Sequence, residues 1–346
     1  MRHRTLVPVL ALLAASCTAE APGPASAAEA APPSSPPDAW RPLIGEYANG
    51  ADTVSVVEDG GTLRLLRWHG EAVDLAPTSD STFAAGAAPG GGAPVSGPVV
   101  VRRGTGGEVA LVLDGVTYPR LSLGAEDGGQ FRITPVRPSE ELHAEALAAS
   151  PPGEEGDFLP SDLVELVSLD PTIHLDVRYA STNNFMGEVF YSQPRAFLQR
   201  PAAEALVRAH RGLKERGYGL LVHDGYRPWY VTKMFWEATP EPLRMFVADP
   251  ASGSRHNRGC AVDLTLYDLA TGEPVVMPGG YDEMSPRSFP DYPGGTSRQR
   301  WLRDLLRQAM EAQGFEVYEA EWWHFDYRDW RRYRIGNERF EELGGG

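Results

Sequence analysis

From Trp40 to about Arg137, short β-prone runs alternate with Gly- and Asp-rich turns at fairly regular spacing. The runs are Thr53–Val57, Thr62–Leu66, Pro98–Val101, Val109–Leu113 and Phe131–Val136. Aliphatic and β-branched residues bounded by turn formers predict antiparallel strands, so residues 39–137 read as a small all-β module. Gly86 to Gly97 is a Gly/Ala/Pro connection inside it. Residues 138–157 are acidic and contain Ala and Pro; they read as a linker, with a short helix at Glu140–Ala149. Beyond Asp162 the periodicity becomes mixed. Pro201 opens a helix whose Leu206, Ala209 and Leu213 share a face and which ends at Gly217. Leu220-Leu221-Val222 is a buried strand running into Asp224-Gly225-Tyr226-Arg227-Pro228, and Pro228 can start the next helix, to about Ala238. Ala261 to Tyr267 reads as a strand followed by a turn at Ala270–Glu273. Ser297 is expected to cap a helix with an apolar face of Leu302, Leu305, Leu306, Ala309 and Met310, closed by Gly314. Phe315 to Tyr327 is a final strand-like run, and residues 158–346 together form one α+β domain.

Composition adds the envelope to this picture. A chain of 346 residues accommodates two domains, and 42% hydrophobic with 23% charged residues is close to the soluble globular average. With 47 acidic against 32 basic residues, a net charge of -15 and no basic run, nucleic acid is not an expected partner. The chain opens with Arg2-His3-Arg4 and an apolar run from Leu6 to Ala15, the charged and apolar regions of an export signal and too short to span a bilayer. Ala14-Ala15-Ser16-Cys17 resembles a bacterial lipobox, which makes residues 1–17 a leader and Cys17 the lipidated mature N-terminus. The rival is cleavage after Ala25-Ser26-Ala27. Either reading exports the protein to the periplasm or cell envelope, and the first leaves it on the membrane only through its lipid anchor. Residues 18–38 carry almost no large apolar side chain and read as a flexible tether. Cys260 then has no partner and is expected as a buried free thiol.

Two segments carry candidate chemistry: Ser254-Arg255-His256-Asn257-Arg258-Gly259-Cys260-Ala261-Val262-Asp263, and Glu321-Trp322-Trp323-His324. Two His and an Asp are a normal three-ligand set for catalytic zinc, which leaves the fourth position to water. A Glu beside such a set can act as general base without ligating the metal. Gly259 permits a tight turn between the His-bearing loop and the Asp-bearing strand. In an extended chain the odd Glu321-to-His324 offset puts the two side chains on opposite faces unless a bulge or turn intervenes. On residue types alone, the same groups also serve as hydrogen-bonded core residues.

In order, Asp176-Val177-Arg178-Tyr179-Ala180, Asn184-Phe185 with Gly187, Asp224-Gly225-Tyr226-Arg227-Pro228, Ser254-x-His256-x-x-Gly259-x-Ala261-x-Asp263-Leu264-Thr265-Leu266 and Glu321-Trp322-Trp323-His324-Phe325 resemble the VanX-type D-alanyl-D-alanine dipeptidases. These are zinc peptidases related to the D,D-carboxypeptidases and the hedgehog fold, and the resemblance covers about residues 162 to 343. It implies an antiparallel-sheet zinc peptidase domain with one zinc per chain, held by His256, Asp263 and His324. It makes Glu321 the catalytic base and Arg227 the oxyanion partner. Tyr179, Tyr191, Ser254 and Asp282 match positions used around the dipeptide, Asp282 facing its free amine. Arg227 could instead simply pair with Asp224. The chain departs from the family at Ser285-Pro286-Arg287-Ser288-Phe289, where better-known members carry an acid and then a Ser-His pair. It also departs in its β module, which lacks a catalytic cluster and is expected to contact a cell-envelope or peptidoglycan partner. The expected substrate is a short D-amino-acid dipeptide, and residues 158–346 alone are expected to hydrolyse it. The alternatives are a D,D- or L,D-carboxypeptidase acting on peptidoglycan peptides and a non-catalytic wall-binding lipoprotein.

Overall fold

The computed structural model describes residues 31–67, 72–86, 95, 97–124 and 129–343. The export signal with Cys17, the tether up to residue 30 and most of the Gly86–Gly97 loop lie outside the described residues.

Alternating apolar and polar positions fold the first half into eight strands, each antiparallel to the next in a meander. They are β1 (Gly45–Asn49), β2 (Asp52–Asp59), β3 (Thr62–Arg67), β4 (Val73–Ser79), β5 (Thr82–Ala85), β6 (Val99–Arg103), β7 (Val109–Leu113) and β8 (Val116–Pro119). Tyr47 bridges to Arg120, and the Leu121 N–H donates to the Glu46 carbonyl, so the meander curls back on itself as an up-and-down barrel. Residues two apart on each strand point inward: Val54 and Val56, Leu63 and Leu65, Val99 and Val101, Leu111 and Leu113 fill a core of their own. Phe131–Val136, expected as a fifth strand run, is not one. Its Ile133 N–H donates to the Phe185 carbonyl and its Val136 N–H to the Ala238 carbonyl, so the second unit takes the backbone groups a strand would have used.

The second unit is α+β. Its main sheet has the order β10-β12-β13-β15-β14, with β10 (His174–Leu175), β12 (Tyr218–Asp224), β13 (Ala261–Asp268), β14 (Phe315–Tyr318) and β15 (Glu321–Tyr327). A two-stranded sheet joins β9 (Leu163–Glu165) to β11 (Phe197–Gln199). The main sheet is antiparallel except at β10–β12, which run parallel. Helices α1 (Ser139–Ala148), α2 (Leu166–Leu169), α3 (Arg200–Lys214), α4 (Trp229–Ala238) and α5 (Ser297–Glu311) complete it. The apolar faces of α3 and α5 close over one core with the sheet: Leu206, Ala209 and Leu213 from the first, Leu302, Leu305, Leu306 and Met310 from the second. The segment read as a linker carries α1, whose Leu142 and Ala146 are buried in this same core.

Two boundaries differ from the sequence expectation. Thr296, not Ser297, is the N-cap of α5: its hydroxyl accepts from the Gln299 N–H while the Gln299 side chain takes the Thr296 N–H, a complete capping box. The run Phe315–Tyr327 is a hairpin of two strands, with an irregular register between Val317 and Tyr318.

Candidate active site and metal centre

The sheet and the turn at its edge converge three side chains. Asp263 on β13 and His324 on β15 are direct cross-strand partners, so their side chains emerge side by side on one face. His256 arrives from a single 3-10 turn just before β13, which ends on Gly259 in the left-handed region at φ 67°. Only glycine takes that conformation without strain, and the turn brings His256 back over the start of the strand. His256 Nε2 lies 3.0 Å from His324 Nδ1 and 3.2 Å from Asp263 Oδ1, and His324 Nδ1 lies 3.0 Å from the same oxygen. All three residues are buried.

The far side of each ring is already assigned. His256 Nδ1 is 2.7 Å from the Gly225 carbonyl oxygen, which can only accept, so Nδ1 carries the proton and Nε2 faces the cluster as a lone pair. His324 Nε2 donates in the same way to Asp326 Oδ1 at 2.9 Å, leaving Nδ1 inward. Asp263 Oδ2 accepts from the Tyr281 hydroxyl at 3.0 Å. With both rings neutral, the inner atoms are two imidazole lone pairs and a carboxylate oxygen, and a proton on His324 Nδ1 competes with a cation for the same place. A cation is what such a set fits, and the outer partners are those that orient metal-ligating histidines. The electrostatics agree. Burial opposes charge on His324, but the carboxylates of Asp326 and Asp263 outweigh it and push the ring up to about 10. Burial likewise opposes charge on Asp263, yet the two imidazoles hold it well below the usual carboxylate range. Among the described residues this is the one group of three that could hold a metal ion.

Around it the structure gathers most of the other expected residues. A cavity of about 110 Å³ is lined by His256, Asp263 and His324, and also by Glu321, Arg227, Asp282, Tyr179 and Ser254. Glu321 opens β15 next to the irregular hairpin register, which resolves the odd offset: its Oε2 reaches to 3.7 Å from His324 Nδ1. Burial pushes the Glu321 carboxyl up to about 7, and a cation held by His256, Asp263 and His324 would draw it back toward the carboxylate form. Arg227 leaves the end of β12 through Gly225, where a side chain would meet the Phe197 carbonyl oxygen at 2.7 Å. Its Nε donates to Asp224 Oδ2 at 2.9 Å, while Nη2 lies 2.8 Å from that oxygen and 3.5 Å from Asp263 Oδ2. The pairing with Asp224 therefore exists, and it aims the guanidinium rather than removing it from the cavity. Asp282 stands at φ 57° and accepts from the Tyr179 hydroxyl with both oxygens at 3.0 Å. Burial, followed by the nearby Asp263 charge, raises the Asp282 carboxyl well above its ordinary range, so an ammonium entering there would be welcomed as its counter-ion.

Tyr191 does not line the cavity. Its hydroxyl donates to Asp224 Oδ1 at 2.8 Å and its ring stacks on Phe340, which places it behind Arg227 as a support. Cys260 is free and buried. Sequence reasoning named Asp224 as a partner of Arg227 but passed over Asp326 and Tyr281, the groups that hold His324 and Asp263. Asp326 had a readable signal, since residues two apart on a strand share a face.

Comparison with known proteins agrees with this geometry. Residues 160–341 match the peptidase M15 family, described as D-ala-D-ala dipeptidase. A D-alanyl-D-alanine dipeptidase of Escherichia coli strain K12 is 34% identical over 180 residues, 52% of this chain and 92% of that protein. Those of Enterococcus faecium, 36% identical over 46% of this chain and 90% of that protein, and Streptomyces coelicolor, 38% identical over 50% and 93%, are similar in the same way. The barrel lies outside the matched residues.

Proposed function

The chain belongs to the peptidase M15 family of D-Ala-D-Ala dipeptidases, and from that premise we propose zinc-dependent hydrolysis of D-alanyl-D-alanine or related short D-amino-acid dipeptides in cell-wall peptide metabolism. It is a peptidase of the metal-dependent type with a small dipeptide as substrate. The observation that carries the finer reading is the shared cavity, where a base, an oxyanion donor and an amine partner all border one His-Asp-His set.

His256, Asp263 and His324 would hold one zinc, which when bound polarises the scissile carbonyl and makes its water acidic. Glu321, beside His324, takes the proton of the attacking water and returns it to the leaving amine. Arg227, clamped by Asp224, presents its guanidinium to the oxygen on which negative charge develops. Asp282, held by Tyr179, receives the substrate ammonium, and Phe185 and Phe235 wall a space too small for a protein chain. The ammonium partner favours a dipeptidase over a carboxypeptidase, whose substrates have no free amine at that point. Cys17 and the tether support export and a lipid anchor, and the barrel supports contact with the envelope or peptidoglycan.

The test is a variant series on zinc-loaded protein, with products read by mass spectrometry against D,D-, L,D- and L,L-dipeptides and tetrapeptides. His256→Ala and His324→Ala should lose the metal, whereas Glu321→Ala should keep it and lose at least ~10²-fold in turnover. Asp282→Asn should weaken hydrolysis of dipeptides and leave acylated peptides unaffected. Full activity after chelation would sink the metal assignment, and loss of metal from Glu321→Ala would make Glu321 a ligand.

A further inference from the structure

A free dipeptide is a zwitterion, and Asp282 answers only its ammonium, which leaves the α-carboxylate without a partner. Two cationic side chains line the cavity at the metal centre, Arg227 and Arg255. Arg227 is committed: its side chain is 10% exposed, and Asp224 holds it through both Nε and Nη2. Arg255 is not. It immediately precedes His256, and its side chain is 38% exposed. Its contact with an acid is Nε to Asp326 Oδ2 at 3.4 Å, longer than an ordinary hydrogen bond. The other Asp326 oxygen is already taken by His324. The guanidinium lies over the rings of Tyr318 and Trp330, 5.6 and 5.2 Å from their centres. These contacts steady the arm, and among the described residues its head donates no closer bond. The terminal N–H fork is therefore open to a carboxylate, whose geometry it matches.

The two arginines flank the donor set. Arg227 follows β12, and its guanidinium lies 5.1 Å from the ring of Tyr179, whose hydroxyl holds Asp282. Arg255 packs on Tyr318, the last residue of β14. The sheet order β12-β13-β15-β14 puts Asp263 and His324 between them. Tyr318 lines the same cavity and meets the His324 ring edge-on at 5.5 Å. In a dipeptide the ammonium, the scissile carbonyl and the carboxylate follow one another along the chain. With the ammonium at Asp282 and the carbonyl at the metal centre, the carboxylate extends toward Arg255.

We propose that Arg255 binds the C-terminal carboxylate of the substrate and makes a free carboxylate a condition of efficient hydrolysis; this rests on the dipeptidase reading of the same cavity. Asp282 and Arg255 then measure the substrate by the charge at each end. D-alanyl-D-alaninamide keeps the ammonium, the scissile bond and both methyl groups and lacks only the negative charge. Steady-state kinetics on the full zinc-loaded chain should give a KM at least about tenfold lower for D-Ala-D-Ala than for the amide, the scale of one hydrogen bond to a charged group. Arg255→Gln should raise the KM of the free dipeptide to that of the amide, leaving the amide's KM and the bound zinc unchanged. Arg255→Lys, which keeps the charge without the fork, should recover part of the preference. A preference for the free acid that survives in folded Arg255→Gln overturns the proposal. So does an equal loss on both substrates together with weaker zinc binding, which would make Arg255 a brace for Asp326 alone. Titration calorimetry on zinc-loaded Glu321→Ala repeats the comparison without turnover. Equal binding of both ligands there overturns the role of Arg255 alone, whereas binding of neither overturns the dipeptide reading and this one with it.

Discussion

His210 is a buried histidine that the chemistry does not use, and its two nitrogens are both committed. Nδ1 accepts the Leu220 N–H at 3.0 Å, and Nε2 sits 2.9 Å from a Thr172 hydroxyl whose own proton goes to Asp170. A proton on Nδ1 would set two donors against each other at the start of β12. Burial accordingly pushes His210 down to about 4. Unfolded, the ring titrates near ~6.5, so below that pH the unfolded chain binds a proton that the folded chain refuses. The contribution is intact above about pH 6.5 and is lost progressively as the pH falls toward 4; at pH 5 the loss is about 2 kcal/mol. Chemical denaturation of the protein and of His210→Gln at pH 7 and pH 5 should show their stability difference narrowing by about that amount; a difference independent of pH would reject the assignment. At this scale the residues proposed to face the reaction were legible through the resemblance of their ordered motifs to a known family, because by type alone the same His, Asp, Glu and Arg also serve as hydrogen-bonded core groups. Their supports were not. Tyr281 and Tyr191 act through distances that no spacing along the chain records, which is why Tyr191 was expected against the substrate and lies behind Arg227 instead; only Asp326, two residues from His324 on one strand, had a readable spacing.

The element that carries Asp282 is braced from both sides. Glu283, fully buried, accepts from the Gly280 N–H at 2.9 Å, the Ser285 hydroxyl at 2.5 Å and Arg287 through Nε at 2.6 Å and Nη2 at 2.7 Å. These bonds wind the loop tightly enough to hold Asp282 at its positive φ, a conformation that costs a non-glycine residue energy unless its surroundings impose it. Arg287 then reaches Glu46 on β1 of the barrel, and Tyr292 bonds to the same carboxylate. A few residues on, the barrel hairpin β2–β3 meets the start of α5: Glu58 accepts the Ser297 N–H at 2.9 Å, and the Gly60 N–H donates to the Ser297 hydroxyl. The carboxylate thus supplies the helix N-terminus from another unit. It also explains why Ser297 is not the cap, since its hydroxyl is occupied across the interface. The loop's departure from the family pattern was visible in the sequence, but its bond to Glu46 was not, with more than two hundred residues between the partners. Glu46→Gln removes the charge that Arg287 and Tyr292 share while leaving Glu283 in place. Steady-state kinetics on D-Ala-D-Ala should give a KM raised by about tenfold, the scale of one charged hydrogen bond, with kcat nearly constant. Equal losses in kcat and kcat/KM would mean that Glu46 acts on the transition state, and unchanged kinetics would mean the loop stands without the barrel.

For the whole molecule, the question is where the enzyme ends and its attachments begin. Cys17→Ser should move the protein from the membrane fraction to the soluble one if the lipobox reading holds; an unchanged fraction would leave cleavage after Ala27 as the better account. In the sequence, turn-bounded β-prone runs end at about Arg137 and mixed periodicity begins beyond Asp162; in the structure, the buried residues form two separate clusters. The segment joining the two units was less legible. Its acidic, Ala- and Pro-containing composition resembles a linker, yet Leu142 is fully buried in the peptidase core and α1 packs on α4. Glu154 pairs with Arg258 at 2.6 Å, two residues from His256, and also accepts the Ile335 N–H. A chain starting at residue 158 keeps every candidate catalytic side chain but loses these contacts. Losing the Leu142 side chain alone costs about 2–5 kcal/mol, against a total of roughly 5–15 kcal/mol for a domain. Residues 129–346 should therefore melt cooperatively and hydrolyse dipeptide with the raised KM of a loop without its barrel brace. Residues 158–346 should melt at markedly lower temperature and bind the metal more weakly, because Arg258 is then a buried guanidinium without its partner. Equal melting temperatures and equal metal affinity for the two chains would show that residues 129–157 are a passenger and that the peptidase unit begins at β9.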